Sequence, residues 1–274
     1  MVLEPEFQLL EASMRQLHKV AWQISCVSEI DGEEVINKAA FTLSRELNQK
    51  AATKTFKKTS RILIPDIIEK GCAAHLVQHL IDMPEWNLVF KNQNKHFDLS
   101  ASQFEALQLK DKTEIKNSVY SGAQRNFSYM YKNYPAFDLV QSGGFSELLT
   151  EFLGFINSKP FLKVISNISG IENIKFTDAQ ATRYEPGHFL TSHNDMVAGK
   201  NRLAAFVFNL SADWHPDWGG NLLFYDDSQN VRNVFAPKMN SLSLFSVGTK
   251  HAVSLVSLFA RAPRLAVTGW FRFR

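Results

Sequence analysis

The chain has 274 residues, 45% of them hydrophobic and 21% charged, a composition that excludes a disordered or fibrous protein and suffices for one large core. Its formal net charge of +3 sits partly in Lys50, Lys54, Lys57, Lys58 and Arg61; with no stacking or groove-reading motif beside it, that run reads as a solvated face or linker, and no nucleic-acid partner is expected. Cys26 and Cys72 lack metal or redox spacing, the N-terminus lacks a signal-peptide pattern, and no stretch approaches the ~18 apolar residues of a membrane span, so the expectation is a reduced, cytoplasmic protein without a membrane partner.

Residues 1 to about 60 are polar and helical in pattern. Val35, Ile36, Ala39, Ala40 and Leu43 fall on roughly one side of a helix over 33–50. This segment reads as a helical N-terminal extension, which leaves 61–274 as the main domain. Pro65-Asp66 offers a helix start, and Ile67, Ile68, Leu76, Val77, Leu80 and Ile81 form an apolar stripe that stops before Pro84. A second helix is predicted over 145–157, with Leu148, Leu149, Phe152, Leu153 and Phe155 facing a core. From Asp178 onward the period changes to short strand-like runs at 179–193, 202–211, 220–226, 231–236, 241–247, 251–257 and 264–273, separated by turns such as Trp218-Gly219-Gly220-Asn221. The fold class expected is α+β with a mainly β core: a double-stranded β-helix, or jelly roll, over about 178–274, braced by helices that precede it.

His-x-Asp, a cheap motif by itself, occurs three times: His96-Phe97-Asp98, His193-Asn194-Asp195 and His215-Pro216-Asp217. Residues i and i+2 of a strand share a face, so the motif presents both side chains to one ion only where the backbone is extended. His215-Pro216-Asp217 has a central proline and leads into glycines, hence a turn. His96-Phe97-Asp98 lies outside the strand-rich half. His193 ends an extended run inside it. His251 opens a later run, with four strand runs between it and Asp195, enough chain to travel around a jelly roll and return. Two histidines and one aspartate leave three positions of an octahedral ion open, the set associated with non-haem Fe(II) oxygenases.

Arg264 begins the apolar run Leu265 to Phe271, where burying it is costly unless an anion meets it; its planar fork suits a carboxylate, and Ala266 and Thr268 leave room on its face. A rim salt bridge to Asp226 or Asp227, or a role for Arg261 as the anion binder instead, are the alternatives.

The stretch Ala181-Thr182-Arg183-Tyr184-Glu185-Pro186-Gly187-His188-Phe189-Leu190-Thr191-Ser192-His193-Asn194-Asp195, then Asn209-Leu210, Asp217 to Phe224, Pro237, Asn240, Leu244-Phe245, His251-x-Val253 and Arg264 to Phe271, resembles the prolyl 4-hydroxylase-like branch of the 2-oxoglutarate/Fe(II) dioxygenases. Within it the chain is similar to bacterial relatives of the eukaryotic hydroxylase of a small-subunit ribosomal protein. The likeness is dense over about 178–271, weaker over 61–177 and absent from 1–60. It implies that His193, Asp195 and His251 hold Fe(II), that 2-oxoglutarate chelates the ion through its keto and C1-carboxylate oxygens, that Arg264 pairs with the distal carboxylate and that Tyr184 lies near this cosubstrate. It further implies O2 as co-reactant, ascorbate as an accessory reductant, release of succinate and carbon dioxide, and a prolyl residue of a protein or peptide as the group hydroxylated.

Blander roles are expected of the neighbours. Gly219-Gly220 permits a tight turn, Trp218 and Phe224 fill core or line a pocket wall, His188 is structural, and 196–201 is a loop or a lid. Two other readings are kept: hydroxylation of a free amino acid or small intermediate, which calls for a closed pocket with extra polar anchors, and a non-catalytic jelly-roll metal sensor, against which the intact four-residue pattern argues. The sequence carries no reading of oligomeric state.

Overall fold

The computed structural model describes residues 41–92, 95–136 and 146–273. Residues 33–40 of the helix expected over 33–50, together with Cys26, lie outside these residues; 41–48 are not helical, because Leu43 forms an antiparallel bridge to Ile68 instead, and only 49–50 join a helix. Helix α1 (Gln49–Thr59) starts where the Asn48 side chain accepts from Ala51 N at 3.0 Å, and it stops at Ser60, whose backbone adopts the left-handed conformation, φ 55°. It buries Ala52 and Phe56, four residues apart, in the main core.

Strand β1 (Arg61–Ile64) follows, then α2 (Lys70–Asp82). The start expected at Pro65-Asp66 is displaced to Lys70 for a tertiary reason. The Asn240 side chain accepts from Ile68 N at 3.3 Å and donates to Ile68 O at 2.7 Å, while Asn240 O accepts from Ile67 N at 3.1 Å. Those partners occupy the backbone that a longer helix would need. Next come β2 (Asn87–Asn92), β3 (Lys95–Leu99), α3 (Ala101–Glu105), α4 (Leu109–Ala123) and β4 (Tyr129–Tyr134). The expected second helix is present as α5 (Glu147–Ile156), capped by Ser146 and burying Leu149, Phe152, Leu153 and Ile156. Helix α6 (Lys159–Ser169), with Ser158 at its cap and Pro160 in its first turn, ends at Gly170, φ 69°.

The remaining strands are β5 (Phe176–Tyr184), β6 (Phe189–His193), β7 (Arg202–Asn209), β8 (Leu222–Tyr225), β9 (Val231–Phe235), β10 (Ser241–Ser246), β11 (His251–Val253) and β12 (Arg264–Arg272). The single run expected over 179–193 is therefore two strands, broken at Pro186-Gly187, and they are not neighbours. β4 lies between them, pairing β5 through Lys132–Tyr134 and β6 through Tyr129 and Met130.

All pairings are antiparallel, in the order β1-β10-β7-β12-β5-β4-β6-β11-β8-β9, with β2 on β4 and β3 on β2. The first five strands form the major sheet and β6, β11, β8 and β9 the facing minor sheet, a nearly closed, barrel-like jelly roll. Alternation sorts the major sheet. Phe206, Phe208, Leu242, Leu244, Leu265 and Val267 face the helices, where they meet Phe152, Phe161 and Ile165; Ala205, Val207, Phe245 and Ala266 face the minor sheet. No helix among the described residues is long and apolar enough to cross a membrane.

Candidate active site

His193 ends β6 and His251 opens β11, and the two are direct register partners. The strands between them, β7 to β10, carry the chain across to the major sheet and back, as the sequence spacing requires. Asp195 lies just past the end of β6, in the loop toward β7. His193 Nε2 is 3.7 Å from one carboxylate oxygen of Asp195, and His251 Nε2 is 3.5 Å from the other. The imidazole rings stand 4.2 Å apart, centroid to centroid.

Second contacts orient both rings. Nδ1 of His193 lies 3.0 Å from Thr191 O, and Nδ1 of His251 lies 2.9 Å from Thr249 O. A carbonyl only accepts, so each Nδ1 carries the proton and each Nε2 keeps its lone pair for the common point. Burial, and then the facing His193, hold the His251 pKa below the usual histidine value, which keeps that ring neutral. One donor atom from each of the three residues lies within 4.8 Å of the others. Two ligands each about 2.1 Å from one ion stand roughly 3–4 Å apart. The donor set therefore fits a divalent transition ion with open positions.

Arg264 opens β12, directly opposite Tyr184 on β5, and only 1% of it is exposed. Among the described residues it has no ion pair, and its buried Nε has no hydrogen-bond partner; its guanidinium carbon lies 5.3 Å from the centre of the Tyr184 ring. Neither rim acid pairs with it: Asp226 pairs with Arg232 at 2.6 Å and Asp227 is exposed, while Arg261 stands exposed on the segment before β12. A buried guanidinium with no counter-charge calls for an anion.

One cavity of about 410 Å³ holds all four residues and Tyr184. Tyr131 stacks on Tyr184 at 5.1 Å, and burial pushes the Tyr131 phenol up to about 12 and the Tyr184 phenol higher still, so both remain hydroxyl donors. Toward the mouth, Tyr129 and then Phe127 continue this ladder at 5.8 and 5.4 Å, and Phe127 reaches His193 at 5.2 Å. Tyr129 and Tyr131, unlike Tyr184, carry no role in the sequence reading, although Tyr129-Met130-Tyr131 alternates with strand period. Gln180 and Thr182 share Tyr184's face and line the cavity by the same alternation. Arg202 and Trp270 line it too, with no local signal for Arg202.

The two look-alike motifs stand elsewhere. His215-Pro216-Asp217 is a turn as expected, His215 Nδ1 accepting from Asp217 N at 3.3 Å ahead of a short 3₁₀ segment. His96-Phe97-Asp98, which lies outside the strand-rich half of the sequence, is nonetheless extended within β3, but its His96 and Asp98 are exposed and His96 Nδ1 meets the Tyr129 hydroxyl at 2.8 Å. An extended backbone alone does not make the site; convergence with a third donor does. His188 is buried and takes no part in the cavity, its Nδ1 accepting from Glu185 N at 3.1 Å. Phe224 is core, and Trp218 packs edge-on against Trp214. Gly219 has φ 68°, and a Cβ there would collide with the Leu255 carbonyl; at Gly220, φ 62°, a Cβ would stand 3.0 Å from Arg264 Cδ.

Residues 179–272 match the model of the 2OG-Fe(II) oxygenase superfamily. The chain is 28% identical over 224 residues to the Drosophila melanogaster protein prolyl 3-hydroxylase sudestada1, covering 76% of this chain and 33% of that protein. It is 32% identical over 114 residues to mouse prolyl 3-hydroxylase OGFOD1, covering 39% of this chain and 20% of that protein. The chain thus spans a third or less of the length of these two relatives. A crystal structure of a Pseudomonas putida prolyl-4-hydroxylase superposes with a TM-score of 0.54 at 16% identity, covering 82% of this chain and 99% of the other, a likeness of fold. The segment 179–272, which carries His193, Asp195, His251 and Arg264, is thus similar to the 2OG-Fe(II) oxygenase superfamily, and the two curated proteins that the chain resembles are prolyl 3-hydroxylases.

Proposed function

We propose that the protein is a 2-oxoglutarate- and Fe(II)-dependent dioxygenase that hydroxylates a prolyl residue in a protein or peptide, releasing succinate and carbon dioxide. The observation that carries this is one cavity lined both by a His-Asp-His donor set and by a fully buried Arg264 that has no ion pair among the described residues. Iron held there supplies the oxygen chemistry. His193 and His251 would bind through Nε2 and Asp195 through its carboxylate. Arg264, with no carboxylate partner among the described residues, would receive the distal carboxylate of 2-oxoglutarate, and the protonated hydroxyl and ring of Tyr184 would wall that end. The Tyr131–Tyr184 stack and Ala205, Val207 and Ala266 keep the pocket dry, which strengthens the Arg264–carboxylate pair.

At the mouth, Phe127 and Tyr129 offer aromatic faces beside His193, suited to a pyrrolidine ring on an extended peptide, and Phe127 and Val197 are 37% and 49% exposed. Two relatives named as prolyl 3-hydroxylases favour carbon 3 of that ring. We place the protein in the cytoplasm, in keeping with a sequence that has only two cysteines, Cys26 and Cys72, without metal or redox spacing. The test is to incubate the purified chain with Fe(II), 2-oxoglutarate, O2 and ascorbate, with and without prolyl peptides. Succinate release stimulated by a peptide that gains one oxygen on proline is expected. No succinate under any condition, with iron bound, would remove the oxygenase reading; succinate stimulated by free amino acids alone would move the substrate to a small molecule.

A further inference from the structure

We propose that Arg202 is a positioning residue for the metal-binding carboxylate of Asp195. The inference rests on the reading of His193, Asp195 and His251 as a metal site.

Asp195 has a structural problem that its two partners do not share. His193 and His251 are held by strand pairing and by carbonyls two residues before them, whereas β6 has ended before Asp195 and no strand ladder reaches it. Its side chain nonetheless has to hold one orientation, because an ion with three protein donors loses much of its affinity when one donor drifts. Arg202 supplies the missing restraint. It is the first residue of β7, and its Nη1 donates to the Asp195 main-chain carbonyl at 3.3 Å, closing the loop between minor sheet and major sheet on itself.

The guanidinium is in turn fixed from below. Its carbon lies over the Trp270 ring of β12, 3.4 Å from the ring centre, a close cation–π contact. Trp270 is anchored by its own backbone N, which donates to Asp178 at 3.1 Å, and Asp178 also pairs with Arg272, the register partner of Arg202. Three strands of the major sheet thereby hold one planar group against the turn that carries the ligand. The buried Nε of Arg202 has no hydrogen-bond partner among the described residues, so the cation–π contact rather than a saturated hydrogen-bond set defines its orientation. A lysine would keep the charge and lose the plane. Partners one step beyond metal ligands commonly change metal affinity by about 10–100-fold.

The experiment is a Co(II) titration of the full chain followed by the visible absorption of the bound ion, with no 2-oxoglutarate or turnover required. Wild type, Arg202→Gln, Arg202→Lys, His193→Ala and Phe56→Ala are compared, the last as a destabilised control on α1, remote from the site. Expected is loss of binding in His193→Ala, binding weakened about tenfold or more with an altered Co(II) spectrum in Arg202→Gln, an intermediate affinity in Arg202→Lys and wild-type affinity in Phe56→Ala. Should Arg202→Gln fail to fold, Arg202→Lys decides. Affinity within threefold of wild type in the folded Arg202 variant, or an equal loss in Phe56→Ala, overturns the role of Arg202 and leaves the metal site standing. A wild-type chain that does not bind, or a His193→Ala chain that binds as well, overturns the site itself and this inference with it.

Discussion

Four side chains line one cavity, and single substitutions separate the two tasks proposed for them. His193→Ala or His251→Ala removes a donor from a set of three, so Fe(II) binding is expected to be lost by equilibrium dialysis. Arg264→Ala leaves the donors intact; iron is retained, and 2-oxoglutarate binds about tenfold or more weakly, the scale of one charge-assisted contact. Equal iron loss in all three variants would mean that Arg264 belongs to the metal shell rather than to the cosubstrate end. The identities of these residues were readable from their chemistry: paired donors on one strand end, a third after four strands, and an arginine opening an apolar run. Arg202 was not, because its partners, Asp195 O and the Trp270 ring, come together only across sheets.

At the level of elements, strand runs in the second half were legible to within a few residues, while the inward-facing set on β6 was not. Leu190 and His193 are three apart, which simple alternation places on opposite faces, yet both line the cavity. The register slips between His251 and Val253, whose partners are His193 and Leu190, and that irregularity brings both inward. The turn between β5 and β6 holds His188, whose pKa burial lowers to about 4. Its unfolded value is near 6.5, so the unfolded chain takes up a proton that the folded chain refuses. Stability is thus full above about pH 6.5 and falls as pH drops toward 4, by about 1.4 kcal/mol per unit of difference between the two values. His188→Asn can keep an acceptor for Glu185 N without titrating. Its denaturation midpoint should fall less steeply than wild type's between pH 6.5 and 4; parallel curves would remove His188 as the cause.

Across the whole molecule, the core extends beyond the jelly roll into the helical layer. Phe56 on α1 sits in the same cluster as Phe152, Phe161 and Phe271, and Thr53 ties α1 to α6 through the Asn167 carbonyl at 3.2 Å. Phe56→Ala should cost about 3–5 kcal/mol in chemical denaturation; a loss below ~1 kcal/mol would show that this layer is not coupled to the core. By itself the sequence determined the class of fold and picked out the side chains that the structure gathers in one cavity. Periodicity and donor types are local properties, carried by each stretch wherever it ends up. Only the tertiary structure decided which of two extended His-x-Asp motifs meets a third donor, that Arg264 has no acid beside it, and where α2 begins. Each of those depends on what another strand brings within a few ångströms, and no local pattern encodes that distance.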